Sequence, residues 1–333
     1  MAKENIHIVA IGGGGGASQV LRAARSFAAR LTAVIAVTDT GRSTGLARAI
    51  GRIPAPGDLR ATIAAFAGDP LLARLLEHRF DGAGVPQLEG MAFGNLLIAA
   101  LARLTGDFGA AVEQAARMAG CEAEVLPVST ADAHICAELA DGTRVEGELQ
   151  VRGLGKPPIA RLALCAPAAA YPPALEAIRS ADLVAIGPGS LFTTVLACLA
   201  FDGVAEALRA ARGTVVYVCN TTTQPGQTDG YRAADHVRRV VEALGVGTLD
   251  VALINRSAPD EAALAAYAAQ GLHLLRPDDA ELVEIAGLGV RVVARPLTEQ
   301  APGGRALWNK QDTIRHDVRA LGEALAALAR GGV

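Results

Sequence analysis

The stretch that decides the fold is Ile6-His7-Ile8-Val9-Ala10-Ile11-Gly12-Gly13-Gly14-Gly15-Gly16-Ala17. Six largely apolar residues run into five glycines, and a helical pattern over Ser18–Ala29 follows. A short apolar run with no polar alternation reads as a strand buried on both faces, as in a parallel sheet. Glycines between such a strand and a helix let the backbone approach a phosphate, which the helix N-terminus attracts. Gly12, Gly14 and Ala17 fit the G-x-G-x-x-G/A spacing, and Asp39 lies roughly 20 residues further on, where an acid can bind a ribose hydroxyl. The same residues also suit a plain tight turn. No G-x-x-x-x-G-K-[ST] motif is present, so a Walker-type phosphate site is not indicated.

Working outward, the alternation continues. Strands are expected at Ala33–Val37, Leu183–Ile186, Thr214–Cys219 and Val251–Ile254. Helical patterns cover Asp58–Ala67, Pro70–Arg79, Asn95–Leu104, Phe108–Ala119, Leu191–Leu199, Val204–Ala211, Tyr231–Leu244, Asp260–Gln270 and Asp317–Ala329. Residues 121–164 break the rhythm with four closely spaced strand signals and an Asp141-Gly142 hairpin turn. Gly153–Pro158 and Ala301–Arg305 read as loops. The expected fold class is α/β: a Rossmann-like, mostly parallel sheet with helices on both faces and an antiparallel β insertion around 121–164, in one nucleotide-binding domain over 1–333.

Three more loops follow strands and carry polar or glycine-rich sequence. They are Thr38–Gly45, Gly187-Pro188-Gly189-Ser190 and Asn220–Thr228. Open α/β sheets bind ligands at the carboxyl ends of their strands, so four such loops on one edge say more than any one alone.

Composition removes other classes. The 333 residues are 51% hydrophobic and 20% charged, a globular balance. The net charge of −3 and 4% aromatic content leave neither a basic footprint nor stacking platforms for nucleic acid. No apolar run reaches the length of a membrane span, and MAKENIHIVAIGGGGG has no signal-peptide pattern. Five cysteines, an odd number without a C-x-x-C, argue against a disulfide framework and a structural zinc site. Reduced thiols in a cytoplasmic protein are the expectation. No G-x-S-x-G is present and no acid–base carboxylate pair can be located, so no catalytic residue and no metal ligand is assigned.

Several pieces together resemble a known family. They are Gly12-Gly13-Gly14, Asp39–Gly45, Pro56-Gly57-Asp58-Leu59-Arg60, Phe93-Gly94-Asn95-Leu96-Leu97, Gly187–Thr193, Val218-Cys219-Asn220, Thr223-Gln224-Pro225-Gly226, Asp235-His236-Val237 and Arg315-His316-Asp317. In this order they resemble the gluconeogenesis factor family, a sister group of 2-phospho-L-lactate transferase of deazaflavin coenzyme biosynthesis. The Gly187-Pro188-Gly189-Ser190-Leu191 loop favours the former branch over the Gly-Pro-Ser-Asn-Pro type of the transferases. The resemblance implies a UDP-sugar-binding regulator, with UDP-N-acetylglucosamine or a related UDP-sugar as ligand. It also implies a role in carbon and cell-envelope precursor metabolism and cell shape, with a requirement under gluconeogenic growth. It implies no required cofactor, and it is compatible with a divalent metal, unidentified protein partners and a homodimer. Departures from the family pattern are Thr40 beside Asp39, Met91-Ala92 before Phe93, and Val318 after Asp317.

The ligand-binding candidates are therefore Gly12, Gly13, Gly14, Gly15, Asp39, Ser43, Asp58, Asn95, Gly187, Gly189, Ser190, Asn220, Thr223, Gln224 and Arg315. Each keeps a structural alternative: Asp39 as a turn cap, Asp58 as a first-turn acid, Asn95 as a helix cap, Arg315 in a surface ion pair. A substitution such as Gly14→Val is expected to abolish binding while sparing the fold. The competing readings are a transferase with a divalent metal at Asp39, and an NAD-type dinucleotide binder resting on Gly12, Gly14, Ala17 and Asp39.

Overall fold

The N-terminal apolar run forms strand β1 (Glu4–Gly12), which is paired on both edges. The computed structural model describes residues 3–82, 84–299 and 313–332. In it, β1 lies parallel to β2 (Ala28–Ile35) on one side and parallel to β7 (Leu183–Ile186) on the other. With β3 (Glu124–Pro127), β8 (Thr214–Val218), β9 (Val251–Asn255) and β10 (Arg291–Arg295) they make a seven-stranded sheet, ordered β10-β9-β8-β7-β1-β2-β3 and parallel throughout. A second, antiparallel sheet has the order β5-β4-β6, from β4 (Ile135–Leu139), β5 (Arg144–Glu146) and β6 (Ile159–Leu164). The expected fold class holds.

The physical reason is burial. Ile8 to Ile11 and Leu183 to Ile186 are all fully buried, as strands covered by helices on both faces must be. Chain connections leave β1 for β2 on one side, while the other half of the sheet grows outward from β7. The strand order therefore reverses between β1 and β7, and a crevice opens there at the carboxyl ends. The helix that follows β1 (Gly14–Ala24) starts within three consecutive glycines, each costing about 1 kcal/mol against alanine in a helix interior. Burial of Ala17, Val20, Leu21 and Ala24 offsets that cost. The last helix (Val318–Ala329) closes over the first, with Gly322 set so tightly that an added Cβ would lie 2.6 Å from the Ala23 carbonyl oxygen.

Three expectations need correction. The helix expected over Ser18–Ala29 stops at Ala24, and β2 begins at Ala28 rather than Ala33, because Glu4 and Ala28 already pair across β1 and β2. Of the four strands expected at 121–164, the first, β3, pairs parallel with β2 at the edge of the main sheet. The strand expected over Arg144–Leu149 ends at Glu146, and a short helix (Glu148–Arg152) takes over. The Ala301–Arg305 loop lies outside the described residues.

The cysteine expectation also fails in part. Cys136 on β4 and Cys165 just past β6 are joined in a disulfide, their Cα atoms 5.1 Å apart. Antiparallel pairing of Cys136 with Ala163 brings the two within bonding reach. Cys198 and Cys219 are buried free thiols; burial pushes Cys219 up to about 12 and Cys198 higher still. Closing a segment whose ends are 29 residues apart is worth roughly 3–4 kcal/mol in the chain-entropy picture. Cys136→Ser, and dithiothreitol on the wild type, should each lower Tm by on the order of 5 °C, and dithiothreitol should not lower the Tm of the variant further. Differential scanning calorimetry with and without reductant checks this; a wild-type Tm indifferent to reductant refutes it.

Candidate functional site

Two glycine loops face each other at the β1/β7 crevice. An added Cβ at Gly16 would stand 1.7 Å from the Pro188 carbonyl oxygen, so the first helix starts in direct backbone contact with the Gly187–Ser190 loop. At Gly14 the corresponding atom would meet the Asp58 backbone oxygen at 2.7 Å. Gly14 thus packs against the helix Gly57–Ala65, and Gly14→Val would disturb the fold, contrary to the expectation above. Gly15 has open space around it. The first helix has no side-chain cap and no acidic residue in its first turn. Its leading N–H groups are therefore without intrahelical partners at the positive end of the helix dipole.

A cleft of about 770 Å³ with mixed polar and apolar walls lies in front of these loops, inside the usual ~300–1,000 Å³ of small-molecule sites. Among the expected residues, Gly13, Gly14, Gly15, Asp39, Asp58, Gly189, Ser190, Asn220, Gln224 and Arg315 line it. The others do not. Gly12 and Gly187 sit behind the wall where β1 and β7 end, the Gly187 N–H donating to the Ile11 carbonyl at 2.8 Å. Ser43 and Asn95 hold each other: Asn95 Nδ2 donates to Ser43 Oγ at 3.0 Å, and that oxygen also accepts the Ala92 N–H at 2.9 Å. Thr223 is paired with His273 through both backbone and side chain. These five belong to the support of the cleft.

The amides of the fourth loop lace it to the third. Asn220 Nδ2 donates to the Gly189 carbonyl at 2.8 Å, and Gln224 Oε1 accepts the Leu191 N–H at 3.3 Å. Ser190 Oγ donates to Gln227 Oε1 at 2.7 Å. Arg315 stands at the junction of the cleft with a larger groove of about 960 Å³ between the first and last helices. Its backbone N–H donates to Glu299 Oε1 at 2.9 Å. The buried His316 beside it has its pKa lowered to about 4 by burial. Tyr267 packs with Leu272 and Ile314 in a small apolar cluster.

The residue that sequence reasoning missed is Glu148. It enters from the antiparallel insertion and is 7% exposed. Its Oε2 accepts the Thr40 N–H at 3.3 Å, and its Oε1 takes Arg152 Nη1 at 3.0 Å. Burial, then the adjacent Asp39 carboxyl, raise its pKa from the ordinary carboxylate value to about 7, against the pull of Arg152. Asp39 itself accepts the Gly41 N–H at 2.7 Å. A carboxyl pair therefore exists at the site, half of it contributed by a residue more than a hundred positions away. The Glu148/Arg152 spacing of four residues was the available signal, a helical ion pair within a segment that otherwise reads as a strand.

No third metal-binding side chain joins this pair at ligand spacing among the described residues. The single His/Cys/Asp/Glu group at such spacing there is Cys136, Glu146 and Cys165, whose two sulfurs are bonded to each other.

Comparison with known proteins fits this architecture. The family model described as 2-phospho-L-lactate transferase CofD matches residues 8–298. The chain belongs to the CofD family. Within it, the chain is 35% identical over 328 residues to the gluconeogenesis factor of Halalkalibacterium halodurans, covering 98% of this chain and 96% of that one. It is 34% identical over 326 residues to the gluconeogenesis factor of Bacillus subtilis, covering 97% and 98%. The crystal structure of a UPF0052 family member from Bacillus halodurans superposes with a TM-score of 0.87 at 34% identity, covering 98% of this chain and all of that one. The branch of the CofD family that the sequence resembles is thus the one its relatives carry by name.

Two outcomes follow from the geometry. Gly16→Ala forces the Pro188 carbonyl and the first helix apart and should cost at least ~2 kcal/mol, read as a lower urea midpoint; an unchanged midpoint would show that the contact yields freely. Glu148→Gln removes a carboxyl that the folded state tends to keep protonated below about pH 7. With the folded value raised above the unfolded one, the wild type loses stability as pH rises from about 4.5 to about 7. The variant should therefore gain on the wild type by ~2 kcal/mol between pH 5 and pH 8. Paired urea titrations at the two pH values measure it, and a constant difference would refute the raised carboxyl.

Proposed function

We propose that the protein is a nucleotide-sugar-binding regulator whose ligand is UDP-N-acetylglucosamine or a related UDP-sugar. The observation that carries this reading is the pairing of two glycine loops from different halves of the sheet at the mouth of one cleft. A diphosphate suits the N–H groups at Gly14 to Gly16 and the Gly189–Ser190 turn, and the Arg315 side chain can add a charged contact. The side chains of Ser190, Asn220, Thr222, Gln224 and Gln227, all on the cleft wall, suit a sugar. The name shared by the relatives, gluconeogenesis factor, supports a role in carbon metabolism under gluconeogenic growth; a part in cell-envelope precursor control and cell shape, in the cytoplasm, belongs to the same proposal. No helix among the described residues is long and apolar enough to cross a membrane.

A second reading, phosphate-linked group transfer, has two supports: the family's printed name and the Asp39–Glu148 carboxyl pair, a proton-holding arrangement beside the cleft.

Isothermal titration of the purified chain with UDP-N-acetylglucosamine, UDP-glucose and GDP, each with and without magnesium, separates the two. Under the first reading a UDP-sugar binds without turnover. Gly15→Asp then keeps or slightly raises Tm, since an acid at a helix N-terminus is favourable by ~0.5 kcal/mol, while it repels the diphosphate and abolishes binding. Magnesium-dependent binding of GDP alone would overturn the first reading in favour of the second.

A further inference from the structure

Of the three leucines that line the cleft, Leu272 is buried beside Tyr267 and Ile314, and the other two stand open. Leu149 and Leu154 are 57% and 76% exposed, and both stand on its wall. Large apolar side chains left open inside a concave site, and not folded back onto a core, point to something that covers them.

The segment carrying them is anchored at both lips of the cleft. On one side, Glu148 accepts the Thr40 N–H. On the other, the Arg152 and Gly153 carbonyl oxygens press on Gly226 so closely that an added Cβ there would lie 2.7 Å from each. Lys156 Nζ also donates to the Gly226 carbonyl. Gly226 has a φ of 76°, a left-handed conformation that favours glycine, so both its shape and its missing side chain serve this contact. The backbone that carries the leucines is thus fixed beside the cleft before any ligand arrives, which lowers the ordering cost of using them.

We propose that Leu149 and Leu154 form an apolar lip that packs against the nucleobase of the bound nucleotide, so that the insertion sets base recognition in this cleft. The inference rests on the nucleotide reading above. Its chemistry follows by matching parts: a diphosphate takes the N–H groups of the glycine loops, and sugar hydroxyls take the amides and hydroxyls of the 190 and 220–227 loops. The flat faces of a heterocyclic base are the part of a nucleotide without hydrogen-bonding groups, and they match two aliphatic side chains.

The test is calorimetric titration of the full chain and of Leu149→Ser, Leu154→Ser and the double variant with UDP, GDP, UDP-N-acetylglucosamine and inorganic diphosphate. Both positions are exposed, so the Tm should be unchanged. Each serine should weaken the nucleotide that binds by on the order of 10-fold, the double variant more, and leave inorganic diphosphate unaffected. Nucleotide affinity unchanged in the double variant overturns the lip. A loss confined to UDP-N-acetylglucosamine, with UDP unaffected, also overturns it, because the leucines would then touch the sugar. If the wild type takes GDP in place of UDP and the serines weaken it, the lip stands and the UDP-sugar reading falls. If the wild type binds no nucleotide, both fall.

Discussion

Everything in the cleft depends on how near the backbone at Gly16 comes to the Pro188 carbonyl oxygen. A parallel sheet that reverses its strand order between β1 and β7 leaves a crevice at that point, but a crevice alone binds nothing. What turns it into a site is contact between the first helix and the Gly187–Ser190 loop, which no side chain at position 16 would permit. That contact fixes the first helix N-terminus toward the same space that Gly189 and Ser190 border. The Asn220, Gln224 and Gln227 amides then hold the third loop in place from the next strand along.

The second organising feature is the antiparallel insertion. It adds no strand to the main sheet, yet it supplies Glu148, Leu149 and Leu154 to the cleft and touches both the Thr40 and Gly226 lips. A buried carboxyl beside another carboxyl is costly unless one of them holds a proton, and Arg152 reduces that cost only in part. The insertion therefore brings to the site both its apolar surface and its titrating group, while the main sheet brings the backbone donors.

The main sheet was legible because it is written locally. Runs such as Leu183–Ile186 and Val251–Ile254 show their burial on both faces directly, and the glycines and hydroxyls of the four loops follow their strands in the chain. What was not legible depends on register or on distance. Whether Glu124–Pro127 joins the main sheet or the insertion is a matter of which neighbour it pairs with, and its own residues do not differ. The Cys136–Cys165 bond follows from an antiparallel register that no cysteine count reveals. Ser43, Asn95 and Thr223 carry groups that suit a ligand as well as they suit their neighbours, and here Ser43 Oγ, Asn95 Nδ2 and Thr223 Oγ1 are taken up by neighbours. Glu148 lies far from Asp39 in sequence, and only folding brings the two together.

The walls of the cleft come from residues near 15, 39, 58, 150, 189, 224 and 315, and the closing helix after them packs back onto the first. Glu4 and Arg330 are joined across the same seam. The wall of the cleft at residues 313–316 therefore lies far along the chain from the glycine loop that it faces. A chain cut between the two lacks one wall of the cleft. The cleft is assembled only when segments from opposite ends of the described residues meet, so its shape reports on long-range folding and not on the glycine loop alone.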